Sequence, residues 1–182
     1  MSKQRIKILA VSGSLRAHSS NTIILQAIEK LMPAQVDFFI YKGIAELPQF
    51  DDPEQIPIAV SVWRNHLQNA DAVLVCSPEY AFGVPGSLKN AFDWTVGSGE
   101  LVNKPLALIT ASTGGEKAHA AWLQIFTALS AIIPGECALL ISYVRSKLAG
   151  GEIADAATLE SVKKLIANLL VFLQTNSRAE MT

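Results

Sequence analysis

The sequence predicts an α/β sandwich of three layers: a five-stranded parallel sheet, ordered 2-1-3-4-5, with helices on both faces. Short β-rich apolar runs alternate with longer segments of helical period along all 182 residues, the pattern that builds parallel sheets covered on both sides. That length suits one α/β domain with a full core, spanning residues 1–182. The first apolar run also empties into a Gly/Ser loop that opens a helix, as happens where such sheets bind ligands.

Taken in order, the candidate strands are Ile6–Ser12, Val36–Tyr41, Ala72–Cys76, Pro105–Ala111 and Cys137–Tyr143. Between them, Ile24, Ile28 and Leu31 repeat at helical spacing, as do Val60, Trp63, Leu67 and Ala70. The last segment is the clearest: Leu159, Val162, Ile166, Leu169 and Leu173 form one stripe, with Glu160, Lys163, Lys164 and Asn168 off it. Residues 46–57, ELPQFDDPEQIP, read as a long loop. Five strands and five helices in this alternation fit a flavodoxin-like arrangement. No internal repeat, low-complexity tract or interdomain linker interrupts it.

Two helical segments are apolar over more than one face. In Ala118–Ile133 the polar residues are His119, Gln124, Thr127 and Ser130, and in Leu88–Val96 the residues Leu88, Ala91, Phe92 and Trp94 spread around the axis. One buried stripe suffices for a surface helix, so the excess needs cover. Tight packing inside a monomer would provide it; the favoured expectation is a dimer through these helices.

Composition narrows the function classes. Half the residues are hydrophobic, yet no apolar run is long enough to cross a bilayer, so no membrane partner is expected. The N-terminus MSKQRIKIL lacks an apolar stretch with a cleavage site, so no signal peptide is expected. A net charge of −1 without a basic stripe argues against nucleic acid. The two cysteines, Cys76 and Cys137, lie in apolar strand-like runs and read as buried thiols of a cytoplasmic protein. No His/Cys/carboxylate cluster has ligand spacing, so no metal is expected.

The chemistry begins at SGSLRAHSSN, residues 12–21. This loop offers backbone N–H groups, the hydroxyls of Ser14, Ser19, Ser20 and Thr22, the amide of Asn21 and the guanidinium of Arg16. It then opens a helix whose free N–H groups and dipole favour an anion. A Walker loop would need Gly-Lys-Ser/Thr, and a dinucleotide fingerprint three spaced glycines; this loop has no lysine and one glycine. Cys-x5-Arg phosphatase chemistry is also absent, since Phe82 stands six residues after Cys76. Hydroxyl-rich, single-glycine chemistry suits a terminal monophosphate. The bland alternative is a capped helix start, with Ser19 or Ser20 as the cap.

The third strand leads into PEYAFGVPGSLKNAFDW. Tyr80 and Phe82 are placed to lie along a flat ring, while the turn from Pro78 to Gly83, through Glu79 and Ala81, would aim backbone amides at its polar edge. Glu79 is expected to contribute backbone only. The fourth strand ends in TASTGGEK, where Ser112, Thr113 and Gly114, continuing to Gly115, supply a third wall of backbone donors. A phosphate pocket, an aromatic wall and an amide-lined wall together describe a mononucleotide with a large planar ring, and flavin mononucleotide (FMN) fits all three.

GSLRAHSSN, SPEYAFGVPGSLKNAFDW and TASTG resemble the NADPH-dependent FMN reductase family, which includes quinone, azo-dye and chromate reductases. The resemblance covers nearly the whole chain. It implies a flavodoxin-like dimer or tetramer that holds FMN and takes hydride from NADPH or NADH. By position it assigns Ser14, Arg16, Ser19, Ser20 and Asn21 to the phosphate loop, Glu79 to Phe82 to the isoalloxazine, and Ser112 to the third wall. It also assigns the helices bearing LKNAFDW and AWLQIF to the dimer interface. The chain departs from the family at Ala81, where asparagine is usual, at Gly83, where serine is usual, and at Lys117-Ala118-His119-Ala120, which replaces a Gly-Gly-x-Arg stretch.

The expected activity is ping-pong electron transfer from NAD(P)H through FMN to a small-molecule acceptor such as a quinone, azo compound or free flavin, with no protein nucleophile or general base. His18 and His119 read as surface or capping residues, and His66 as a helix residue without a function. A non-enzymatic electron carrier is the first rival, although such carriers are usually strongly acidic; a flavin-free binding module is the second.

Overall fold

In the computed structural model, which describes residues 5–179, the strands are β1 (Ile6–Ser12), β2 (Val36–Tyr41), β3 (Ala72–Ser77), β4 (Leu106–Ala111) and β5 (Ala138–Ile141). They form one parallel sheet in the order β2-β1-β3-β4-β5. The helices are α1 (Ser20–Leu31), α2 (Ile58–Asn69), α3 (Gly86–Asp93), α4 (Glu116–Ala128) and α5 (Ala156–Ala179). The sequence-based order is therefore the observed one.

The central strands carry near-continuous apolar runs because both of their faces are covered. Alternate residues separate the two cores. Ile8 and Ala10 of β1, with Leu74 and Cys76 of β3, pack on the face holding Ile24 and Ile28 of α1 and Val162 and Leu169 of α5. Leu9 and Val11, with Val73 and Val75, pack on the face holding Trp63 of α2, Phe92 of α3, and Trp122 and Phe126 of α4. On that second face Phe92 meets both Trp122 and Phe126 edge-on, at ring-centre distances of 5.7 and 5.0 Å.

Several boundaries differ from the sequence expectation, each for a local reason. Pro105 accepts from Val73 N (2.9 Å) and bridges to Ile132 but has no N–H to give a ladder, so β4 starts at Leu106. β5 starts after Cys137, whose N–H closes a turn on Pro134, and ends before Tyr143, which is left-handed (φ 53°). α4 stops at Ala128 rather than Ile133 because Ser130 takes φ 57°. There Ser130 N donates to Thr127 O and Ala131 N to Phe126 O, a Schellman ending with serine in the usual glycine place. α3 starts directly after Pro85 and closes at Asp93 rather than Val96. The loop after Glu46 is tied down: Asn90 donates to Pro48 O and accepts from Phe50 N, and Trp94 Nε1 also donates to Pro48 O.

A small hairpin, β6 (Leu148–Ala149) with β7 (Glu152–Ile153), follows β5 and was not anticipated. Gly150 and Gly151, at φ 59° and 78°, make its two-residue turn. It packs beside α1, and an ion pair from Lys30 to Glu152 (3.0 Å) joins the two. Much of the apolar excess on α4 finds cover within the chain: Leu123, Ile125 and Leu129 are half-buried against the second core, and the exposed positions are small or polar (Ala120, Gln124, Thr127, Ala128). Cys76 and Cys137 are both buried and unpaired, and burial pushes both thiols up in pKa, Cys137 to about 11. No helix among the described residues is long and apolar enough to cross a membrane.

Candidate functional site

The C-terminal ends of β1, β3 and β4 bring the three predicted loops together. Gly13 N donates to Cys76 O (2.8 Å), which draws the first loop against the end of β3. A Cβ on Gly13 would lie 2.9 Å from Pro78 Cδ and 3.1 Å from Ser77 Cα, so a side chain here would push the first two loops apart. Tyr80 Oη also reaches Ser14 Oγ at 3.4 Å. The second and third loops are joined by Glu79. Its carboxylate accepts from Ala118 N (2.9 Å) in the first turn of α4, and its carbonyl accepts from Ser112 Oγ (3.4 Å). Gly115, at the N-cap of α4, offers no side-chain cap, so Glu79 supplies the anion that the helix end favours. Sequence reasoning had given this residue backbone work only; its side-chain role depends on a contact 39 residues away.

The first loop divides its polar groups between structure and the crevice. Ser19 caps α1, accepting from Thr22 N (3.0 Å), and its hydroxyl pairs with Thr22 Oγ1 (2.8 Å). The side chain of Asn21 turns inward, donating to Ala111 O (3.4 Å) and accepting from the Cys76 thiol (3.3 Å). Ser14 is 5% exposed and faces Tyr80. The groups left for a ligand are the guanidinium of Arg16, which makes no ion pair or hydrogen bond among the described residues, the hydroxyl of Ser20, and the N–H groups of Ser20 and Asn21 at the start of α1. They line a crevice of about 120 Å³ together with Pro78, Glu79, Tyr80, Ser112 and Thr113. Val144 and Arg145 complete it from the turn after β5. Sequence reasoning did not single out these two, although the rule that ligands gather at strand C-termini applies to the fifth strand as well.

The second loop makes a tight turn in which Tyr80 N donates to Gly83 O (3.0 Å) and Gly83 N to Tyr80 O (2.9 Å). The positive φ falls on Ala81 (48°) and Phe82 (58°), the sign pattern of a type I′ turn, rather than on Gly83. Phe82 stands 82% exposed at the tip. Left-handed backbone at an alanine costs about 1 kcal/mol or more, and asparagine tolerates it better. Ala81→Asn is therefore expected to raise stability by about 1 kcal/mol, read as a higher denaturation midpoint at unchanged slope; a lower midpoint would contradict the turn assignment.

His119 lies under the third wall, with Nδ1 2.9 Å from Thr110 Oγ1. Burial holds its pKa below the usual imidazole value. The unfolded chain thus takes up this proton first as pH falls below about 6.5, so the contribution to stability is present above that pH and is lost on going down toward the folded pKa. Melting temperatures between pH 8 and pH 5 should fall less steeply for His119→Gln than for the unaltered protein; parallel curves would contradict this.

A roomier concavity, about 540 Å³, lies at the other end of the sheet, between Ala70, Asp71, Lys104, Pro105 and Phe172. Its charged groups already have partners: Lys104 Nζ donates to Ala70 O (2.6 Å), and Asp71 accepts from Lys7 N (2.7 Å). The smaller crevice, with uncommitted donors at the strand C-termini, is the better candidate.

Fold and donor set together define an α/β protein equipped to take a phosphorylated small molecule. Residues 6–145 match the model of the family described as NADPH-dependent FMN reductase, and the chain belongs to that family. It is 32% identical to the NADPH:quinone oxidoreductase of Arabidopsis thaliana, over 93% of both chains. It is 28% identical to the quinone reductase of Escherichia coli, over 94% of this chain and 97% of that one. Among solved structures, the flavoenzyme NAD(P)H:(acceptor) oxidoreductase FerB of Paracoccus denitrificans shares the fold, with a TM-score of 0.77 at 23% identity over 93% of this chain and 98% of that one.

Proposed function

We propose that the protein is an FMN-dependent NAD(P)H oxidoreductase of the quinone reductase type, with FMN seated at the crevice between the first and third loops. The observation that carries the reading is the uncommitted Arg16 and Ser20 beside the free N–H groups that open α1, within a chain of the FMN reductase family. These donors suit a phosphomonoester. Pro78, Glu79, Tyr80, Ala81, Phe82 and Gly83 would flank the ring, and Ser112, Thr113 and Gly114 would face its polar edge. Ser14, Ser19, Asn21 and Thr22 hold the loop in shape through the bonds described above.

FMN, when bound, supplies the redox chemistry that carries electrons from a nicotinamide to a small-molecule acceptor. The chain's own part is to fix the phosphate, orient the ring and leave one ring face open. An enclosed volume of about 120 Å³ is small beside the roughly 300–1,000 Å³ of ordinary ligand pockets. The ring would therefore lie on open surface, where Leu15, Tyr80, Phe82 and Tyr143 are 57, 47, 82 and 71% exposed. A second copy of the chain would cover part of this apolar rim, which favours a homodimer or homotetramer. We further propose that residues 1–182 work as one domain in the cytoplasm, a setting that suits two buried, unpaired cysteines.

The test is to purify the protein with FMN and follow NADPH and NADH oxidation against benzoquinone, an azo dye and free FMN. Retained yellow colour and acceptor-dependent oxidation are expected. A protein that releases all flavin on gel filtration and oxidises neither nicotinamide with any acceptor would overturn the proposal.

A further inference from the structure

The turn after β5 brings a second arginine, Arg145, to the lining of the crevice. Arg145 lines the same concavity as Arg16, Ser20 and Asn21, and its guanidinium makes no ion pair or hydrogen bond among the described residues. Its backbone is firmly held. Tyr143 N donates to Thr113 O (2.9 Å) and Val144 N to Ser112 O (3.0 Å), which stitches this turn to the third loop. Val144 is buried, and the left-handed Tyr143 redirects the chain into the short 3-10 turn Val144–Lys147. The β6–β7 hairpin that follows packs beside α1, and Arg145 shares the crevice with Ser20 and Asn21, the residues that open that helix.

Charge makes the placement significant. A phosphomonoester carries about −1.5 to −2 at neutral pH, and the first loop provides one cation, Arg16. Other polar side chains of the first loop are committed elsewhere: Asn21 to Ala111 and Cys76, Ser19 and Thr22 to each other. Glu79, the acidic residue lining the crevice, has its carboxylate engaged with Ala118 N. Two guanidiniums lining one crevice would balance a dianion and give it paired charge-assisted donors.

We infer that Arg145 is a second phosphate-binding residue, closing on the FMN phosphate opposite Arg16. The inference rests on the FMN seat proposed above and adds a contact from the fifth strand to it. It also makes affinity depend on the phosphate in a way that can be separated from the ring.

The test is fluorescence titration of the full chain, stripped of flavin, with FMN and with riboflavin, which has the same ring without the phosphate. Arg145→Gln should weaken FMN binding about 10-fold or more while leaving riboflavin affinity unchanged, and Arg145→Lys should fall between. FMN affinity within twofold of the unaltered protein, or equal losses for both flavins, would overturn the inference. So would a rise confined to the KM for NADPH, since Arg145 would then be reading the phosphate of the nicotinamide nucleotide. If the unaltered protein itself binds riboflavin as tightly as FMN, the phosphate seat fails before Arg145 comes into question.

Discussion

Gly13→Ala should lower stability by about 1–3 kcal/mol and weaken FMN binding in the protein that still folds. The added Cβ would sit 2.9 Å from Pro78 Cδ and 3.1 Å from Ser77 Cα. Neither neighbour is the free end of a flexible chain: one belongs to a proline ring, the other to backbone leaving β3. Relief requires the first loop to move away from the second, which would stretch the 2.8 Å bond from Gly13 N to Cys76 O. Because Arg16 and Ser20 come from the first loop and Tyr80 from the second, the same displacement widens the candidate FMN seat. Urea denaturation and flavin titration on one preparation would read both effects. Unchanged stability together with unchanged FMN affinity would show that the close approach is not needed.

Trp122→Ala is expected to be the more damaging change, by about 3–5 kcal/mol, a large share of an ordinary domain's stability. Trp122 is fully buried, stacks on Phe126 with ring centres 5.2 Å apart, and meets Phe92 edge-on. Its indole N–H donates to Ser77 Oγ (2.8 Å), and Ser77 Oγ in turn donates to Pro78 O (3.0 Å). This strut runs from the middle of α4 to the residue that opens the second loop. Trp122→Phe separates its two parts, since the ring packing largely survives while the donor is lost; a cost of about 1 kcal/mol is expected. If both variants cost the same in denaturant, packing against Phe92 and Phe126 is not the main contribution.

The strands were legible because their determinants are local. Runs such as Ile6–Ser12 and Ala72–Ser77 are apolar on both faces, and the stripe from Leu159 to Leu173 has one period and one face. Boundaries were less legible, since a Schellman ending at Ser130 depends on a backbone angle that serine does not advertise. The β6–β7 hairpin had a signal in Gly150-Gly151, but its strands are two residues long and show no alternation.

At the candidate site, the loops and their proximity followed from strand order together with the composition of SGSLRAHSSN. The work done by each side chain did not. Asn21 turns inward to Cys76, Glu79 caps a helix far along the chain, and Ser19 takes the helix-cap role that had been the bland alternative. Each of these depends on a partner distant in sequence or on a rotamer, and spacing encodes neither. Arg145 was missed for a related reason: it sits in an irregular turn with no motif around it, and only the sheet brings it to α1.

A crystal structure of the protein grown with FMN would locate the phosphate and the ring. The phosphorus atom is expected at the start of α1, with its oxygens within hydrogen-bond reach of the Ser20 and Asn21 N–H groups and the Arg16 guanidinium, and the ring along Pro78–Gly83. A phosphate bound at the opposite end of the sheet, or a ring lying away from the second loop, would contradict this placement.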